Sequence, residues 1–132
     1  MTRVSRFPLK EKVYNEIIET LWEVVTDLDR EEDVERFFSV FLSKAEKIML
    51  AKRLAIAVML EAGIDYLEIS EKLKVSTGTI RDVSYKLSDE GFRKIVGEFT
   101  ERFKSRKKEM SWLEAALGAK TNVKARARLF GG

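Results

Sequence analysis

Apolar residues recur along this chain every three or four positions, and no stretch alternates with the period of a strand. Tyr14, Ile17, Ile18, Leu21, Trp22, Val25 and Leu28 form a first stripe, broken at Asp27-Leu28-Asp29, with Pro8 suited to the opening turn. Glu31, Glu32 and Asp33 favour the positive end of a second helix, whose stripe is Val34, Phe37, Phe38, Phe41 and Leu42. This is a heavy apolar load for a short helix, and packing within the chain or against a second one is the expected role of the phenylalanines. Ser43-Lys44-Ala45-Glu46 matches a capping box, in which a hydroxyl and a carboxylate three residues apart satisfy each other's free amides. The helix it opens runs through Ile48, Met49, Leu50, Leu54, Ile56, Val58, Met59 and Leu60 to Gly63. It is apolar on more than one face and is expected to be the most buried element, with Gly63 tolerating the positive φ of its end.

Residues 65–87 carry the most informative pattern. Asp65 with Glu68 predicts a second capping box and a short helix burying Leu67, Ile69 and Leu73. Lys74-Val75 makes a tight connection with Val75 turned inward, and Ser76 is a good N-cap for a second helix. On that helix Ile80, Val83 and Leu87 share an inward face. Thr77, Gly78, Arg81, Asp82 and Tyr85 share the other, which is short, polar and rich in hydrogen-bonding groups. This is a helix-turn-helix, whose second helix can enter a major groove. Small residues at Ser76, Thr77, Gly78 and Thr79 allow close backbone approach. Arg81 can donate twice to guanine and Asp82 can accept from cytosine. Lys72, Lys74 and Lys86 flank the helix and can pair with phosphates. Two positions depart from the usual motif: Lys74 stands where the turn commonly has glycine, and Ser70 where the crossing helices commonly have alanine.

After Leu87, Ser88-Asp89-Glu90 can cap a further helix carrying Phe92, Ile95, Val96, Phe99, Phe103, Met110, Trp112, Leu113, Ala116 and Leu117. The organisation expected is one all-helical domain over 1–118 and a basic, flexible tail over 119–132. Charge sharpens this picture. Residues 1–42 sum to −4, residues 43–87 to +2 and residues 88–132 to +5, within a net charge of +3. An acidic front and a basic back suit a polyanionic partner for the second part. Arg102, Lys104, Arg106, Lys107 and Lys108, with Lys120, Lys124, Arg126 and Arg128, are either a solvated face or further phosphate contacts.

Composition excludes more than it identifies. The 132 residues fit one domain. They include neither cysteine nor histidine, which removes disulfides, thiolate nucleophiles, most zinc sites and the commonest general base. No catalytic residues, metal site or cofactor are predicted, and the chain does not read as an enzyme. Neither an apolar leader nor an apolar run of spanning length is visible, so the expected location is cytoplasmic, without a membrane partner.

Over roughly residues 10–90 the chain resembles the tryptophan-repressor superfamily, in particular its YerC/YecD-like branch. The likeness lies in the Ser43-Lys44-Ala45-Glu46 start, in Ala51-Lys52-Arg53-Leu54-Ala55-Ile56-Ala57, and in Glu71-Lys72-Leu73-Lys74-Val75-Ser76-Thr77-Gly78-Thr79-Ile80 followed by Val83-Ser84. The resemblance implies an all-α fold in which the leading and trailing helices of two chains intertwine. It also implies a homodimer that binds double-stranded DNA as a transcription regulator. Asp82 stands where the tryptophan repressor has an arginine that contributes to its corepressor site. An acid cannot clamp an amino acid as arginine does, so a tryptophan corepressor is not expected. Two other readings fit the same residues: a sigma-factor-like or response-regulator-like helix-turn-helix module, and a helical protein-interaction domain without DNA binding.

Overall fold

A computed structural model describes residues 9–105, with side chains to 102. Pro8, the side chain of Phe103, the apolar positions from Met110 to Leu117, most of the Arg102–Lys108 cluster and the tail at 119–132 lie outside the described residues. Among the described residues six helices follow one another: α1 (Glu11–Asp27), α2 (Glu31–Phe41), α3 (Lys44–Glu61), α4 (Tyr66–Leu73), α5 (Thr77–Lys86) and α6 (Glu90–Ser105). Among the described residues there is no strand, and the fold is all-α. The chain groups into two compact units, Met1–Met49 and Leu50–Gly132, divided within α3.

The first unit is built from α1, α2 and the opening turn of α3. Leu28 ends α1 in extended backbone and Arg30 precedes α2, whose first turn carries Glu31, Glu32 and Asp33. Phe37 packs edge-on against Phe38 and stacks on Phe41, with ring centroids 5.1 Å apart in both pairs. Neither helix has a buried residue. The stripes have the predicted period, yet Tyr14, Ile17, Trp22, Val34 and Phe41 are all exposed. The capping box at the head of α3 forms in both directions. The Glu46 amide donates to Ser43 Oγ at 3.1 Å, and the Ser43 amide donates to Glu46 Oε1 at 2.8 Å. Hydrogen bonds to the carboxylate, first from the Ser43 amide and then from the Ser43 hydroxyl, hold the Glu46 carboxyl below its ordinary range.

The second unit holds the core. Ile56, Ala57, Val58 and Met59 are four consecutive buried residues of α3, so the helix is covered over most of its circumference there. Ile64, Ile69, Ile80, Val83 and Val96 complete the cluster, and Tyr66, Leu73, Val75, Leu87, Phe92 and Phe99 pack around it. α3 is the most buried helix, as expected, but its burial is confined to one end. Ile48, Met49, Leu50 and Leu54 are exposed, because the core forms only around the last turns of the helix. α3 ends in a Schellman motif: the Gly63 amide donates to Leu60 O and the Ile64 amide to Met59 O, each at 3.0 Å, with Gly63 at φ 85°. Ile64 and Met59 are both buried, as the hydrophobic contact of that motif requires.

Two other expected core positions are also corrected. Leu67 on α4 is 68% exposed and Ile95 on α6 is 67% exposed. Helical phase explains both. The Asp65 cap starts α4 at Tyr66, so the inward set is Tyr66, Ile69, Ser70 and Leu73, and Leu67 lies one step of about 100° away. On α6, capped by Asp89 Oδ1 accepting from the Phe92 amide at 2.9 Å, the inward set is Phe92, Val96, Phe99 and Thr100. Thr100 is buried without penalty because its hydroxyl donates to Val96 O at 2.9 Å. Arg93 Nε meets Glu61 Oε1 at 3.2 Å, linking α6 to the end of α3.

Ile69→Ala should therefore destabilise the protein by about 2–5 kcal/mol, through lost burial and the cavity left behind. Leu67→Ala, two residues away, should stay within about 0.5 kcal/mol. Urea denaturation of the two variants checks the contrast; equal losses would place the helix in the wrong phase.

Candidate nucleic-acid interface

The helix-turn-helix forms where the sequence places it. Asp65 Oδ1 accepts from the Glu68 amide at 2.9 Å and opens α4. Ser76 Oγ accepts from the Thr79 amide at 3.1 Å and opens α5, and the Ser76 and Thr79 hydroxyls lie 3.0 Å apart. Side-chain caps thus set the start of both helices, and each is about a 1 kcal/mol device.

The turn between them is the unusual part. Lys74 is in the left-handed region, φ 57° and ψ 54°, and is the one non-glycine residue with positive φ among those described. A Cβ in that conformation costs roughly 1–2 kcal/mol. The turn is held by bonds that converge on Ser70. The Lys74 amide donates to the Ser70 carbonyl, as does the Val75 amide at 3.3 Å. The Ser70 hydroxyl returns a bond to the Val75 carbonyl at 2.7 Å. Serine in place of the usual alanine therefore ties the two ends of the turn together. In the sequence Ser70 stands out only as a departure from the usual motif. The signal was a hydroxyl at a half-buried helix position, where it must find a partner. Nor does the sequence point to Lys52, whose Nζ lies 3.5 Å from the Lys74 carbonyl. A contact between residues so far apart in the chain leaves no local pattern to read.

α5 is seated by Ile80 and Val83, both fully within the core, and by half-buried Leu87. Its other face carries Thr77, Arg81, Asp82, Tyr85 and Lys86, all exposed. Tyr85 is 78% exposed, an aromatic ring in contact with no core. Gly78 and Thr79 are half-buried, and Thr79 spends its amide on the cap. A Cβ at Gly78 would meet only Ser76 Oγ, at 3.8 Å, so the space for close approach is real but not confined to glycine. Lys72, Lys74 and Ser76 are exposed at the junction, and all ten predicted site residues thus lie on α5 or within a few residues of its start. Among the described residues no group of His, Cys, Asp or Glu is arranged to hold a metal ion, and no helix is long and apolar enough to cross a membrane.

The profile of the Trp repressor protein family matches residues 16–98, more than half of the chain. The chain belongs to the Trp repressor protein family. No curated protein and no solved structure gives a match. Trp repressor family proteins are helix-turn-helix DNA-binding regulators, and the match spans α4, the turn and α5 entire. In this Trp repressor family member the helix-turn-helix of a DNA-binding regulator is built on a lysine turn.

Lys74→Gly should raise stability by about 1 kcal/mol, the relief of the left-handed Cβ less the extra chain entropy that glycine loses. Thermal and urea unfolding measure it. A loss of stability would mean that the lysine side chain holds the turn more strongly than its backbone strains it.

Proposed function

We propose that this protein is a sequence-specific transcription regulator, a repressor in the manner its family name suggests, that binds double-stranded DNA as a homodimer. The observation that carries the reading is the division of α5. Ile80 and Val83 fix one face in the core, and Arg81, Asp82 and Tyr85 stand exposed on the other. A helix so seated presents short polar side chains outward at a constant angle, as entry into a major groove requires. In this reading Arg81 donates to guanine and Asp82 accepts from cytosine. Tyr85 covers a base edge or sugar. Ser76, Thr77, Gly78 and Thr79 bring the backbone close, and Lys72, Lys74 and Lys86 meet phosphates.

The homodimer is supported by the apolar side chains that one chain leaves in solvent. Trp22, Val40, Phe41, Met49 and Leu54 are all more than half exposed, on helices that bury nothing or bury only their far end. Exposed apolar area on this scale marks an interface. Interlocked helices from a second copy would cover it and hold two reading heads about one helical turn of DNA (~34 Å) apart. The YerC/YecD-like branch is the part of the family this reading selects. Asp82 then also argues against a tryptophan corepressor: it stands exposed on α5, where an acid repels the carboxylate of an amino acid. Calorimetry should return no binding of L-tryptophan, and a micromolar dissociation constant would overturn this.

The decisive test is selection of bound duplexes from a random DNA pool. The expected product is a palindrome with half-sites about one turn apart. Arg81→Ala should then cost ~1–3 kcal/mol at one base position of each half-site and relax specificity there. An equal loss across all sequences would make Arg81 a phosphate contact, and no enrichment at all would sink the reading.

A further inference from the structure

Lys52 lies on α3, outside the helix-turn-helix, and its side chain is half-buried. Its Nζ donates to the carbonyl of Lys74 at 3.5 Å, a long but charge-assisted contact across 22 positions of the chain. The acceptor belongs to the one non-glycine residue held at positive φ among those described. That residue is also the hinge between the two helices. The Lys74 and Val75 amides close onto the Ser70 carbonyl, and the Ser70 hydroxyl onto the Val75 carbonyl. The Ser76 cap follows at once. A change in the backbone at Lys74 therefore swings the start of α5, and Lys52 is the side chain from outside the motif that grips this backbone. Its charge suits the position, since the last carbonyls of α4 carry the partial negative charge of a helix C-terminus.

We propose that Lys52 is a positioning residue for DNA binding. Its ammonium tethers the left-handed turn to α3, the helix that contributes the largest share of the core, and through the turn sets the angle at which α5 presents Arg81 and Asp82. The inference rests on the DNA-binding reading of α5 and adds to it a residue that touches neither base nor phosphate.

The test compares Lys52→Met, which keeps most of the apolar stem, with Lys52→Arg, which keeps a charged donor. Two measurements are made on the full chain: amide hydrogen exchange without DNA, and affinity for a duplex of random sequence across a range of salt. In Lys52→Met the Lys74 and Val75 amides should exchange roughly threefold to tenfold faster, the size of one weak charge-assisted bond, while Ile56 to Met59 stay unchanged. DNA affinity should fall by a similar factor with an unaltered salt slope, and Lys52→Arg should restore both. A salt slope reduced by about 0.9 would make Lys52 a phosphate contact and overturn the proposal. Failure of Lys52→Arg to restore either measurement would do the same. Unchanged exchange in Lys52→Met, with the unaltered chain still binding DNA, would overturn the tether alone. Failure of the unaltered chain to bind any duplex would instead overturn the DNA-binding reading itself.

Discussion

The outward face of α5 depends on what its inward face is buried in. Ile80 and Val83 share a core with Ile56, Ala57, Val58 and Met59, the end of α3 that is covered over most of its circumference. A helix of ten residues has little stability of its own in water, so its existence as well as its angle comes from that burial. Packing at native density leaves few ways for two branched side chains to sit, and the polar residues between them inherit a fixed direction. The second constraint is the turn. Three hydrogen bonds centred on Ser70 hold a backbone that a lysine adopts only at a cost. Core and turn together make α5 a rigid presenter, which a reading head needs if side-chain direction is to carry base preference.

The two left-handed caps among the described residues make an instructive pair. Gly63 closes α3 with no Cβ to strain, and the two bonds that follow it are those of a Schellman motif. Lys74 closes α4 in nearly the same way but carries a side chain, so its environment must supply what glycine supplies by itself. Ser70 and Lys52 are that environment. A substitution that looks unfavourable at one position is thus matched by two others, and none of the three makes sense alone.

Much of this fold was legible in the chain, and the reason is local chemistry. Ser43, Asp65, Ser76 and Asp89 each form the cap expected of them, because a cap involves residues only three apart. Ile69, Ile80, Val83 and Val96 were legible as core through their spacing. The failures fall where spacing is ambiguous. Tyr66 and Leu67 are adjacent apolar residues, and only the phase set by the Asp65 cap decides which one turns inward. Ile95 and Val96 pose the same choice on α6. The stripes of α1 and α2 were read correctly as stripes, but periodicity says that a face wants cover, not what covers it. Of the site, the exposed face of α5 was readable from its complement, while Lys52 was not, since nothing near it in the chain announces a partner 22 residues away.

Asp82 is the residue through which the proposed function differs most from general affinity for nucleic acid. An acidic side chain exposed beside Arg81 repels the phosphate backbone wherever the helix approaches DNA, so it weakens binding to all sequences alike. Only a base that donates a hydrogen bond at that position offsets the repulsion, and in the major groove such donors are the amino groups of cytosine and adenine. Arg81 has the opposite preference, because guanine offers it two acceptors. Adjacent residues on a helix point about 100° apart, so the two side chains address different base edges and do not neutralise each other. A face carrying both charges gives up affinity for random DNA and gains discrimination, since a wrong base leaves an acid unpaired as well as an arginine. That is the arrangement expected of a regulator that must leave most DNA alone, and a purely basic face of the same helix would not provide it.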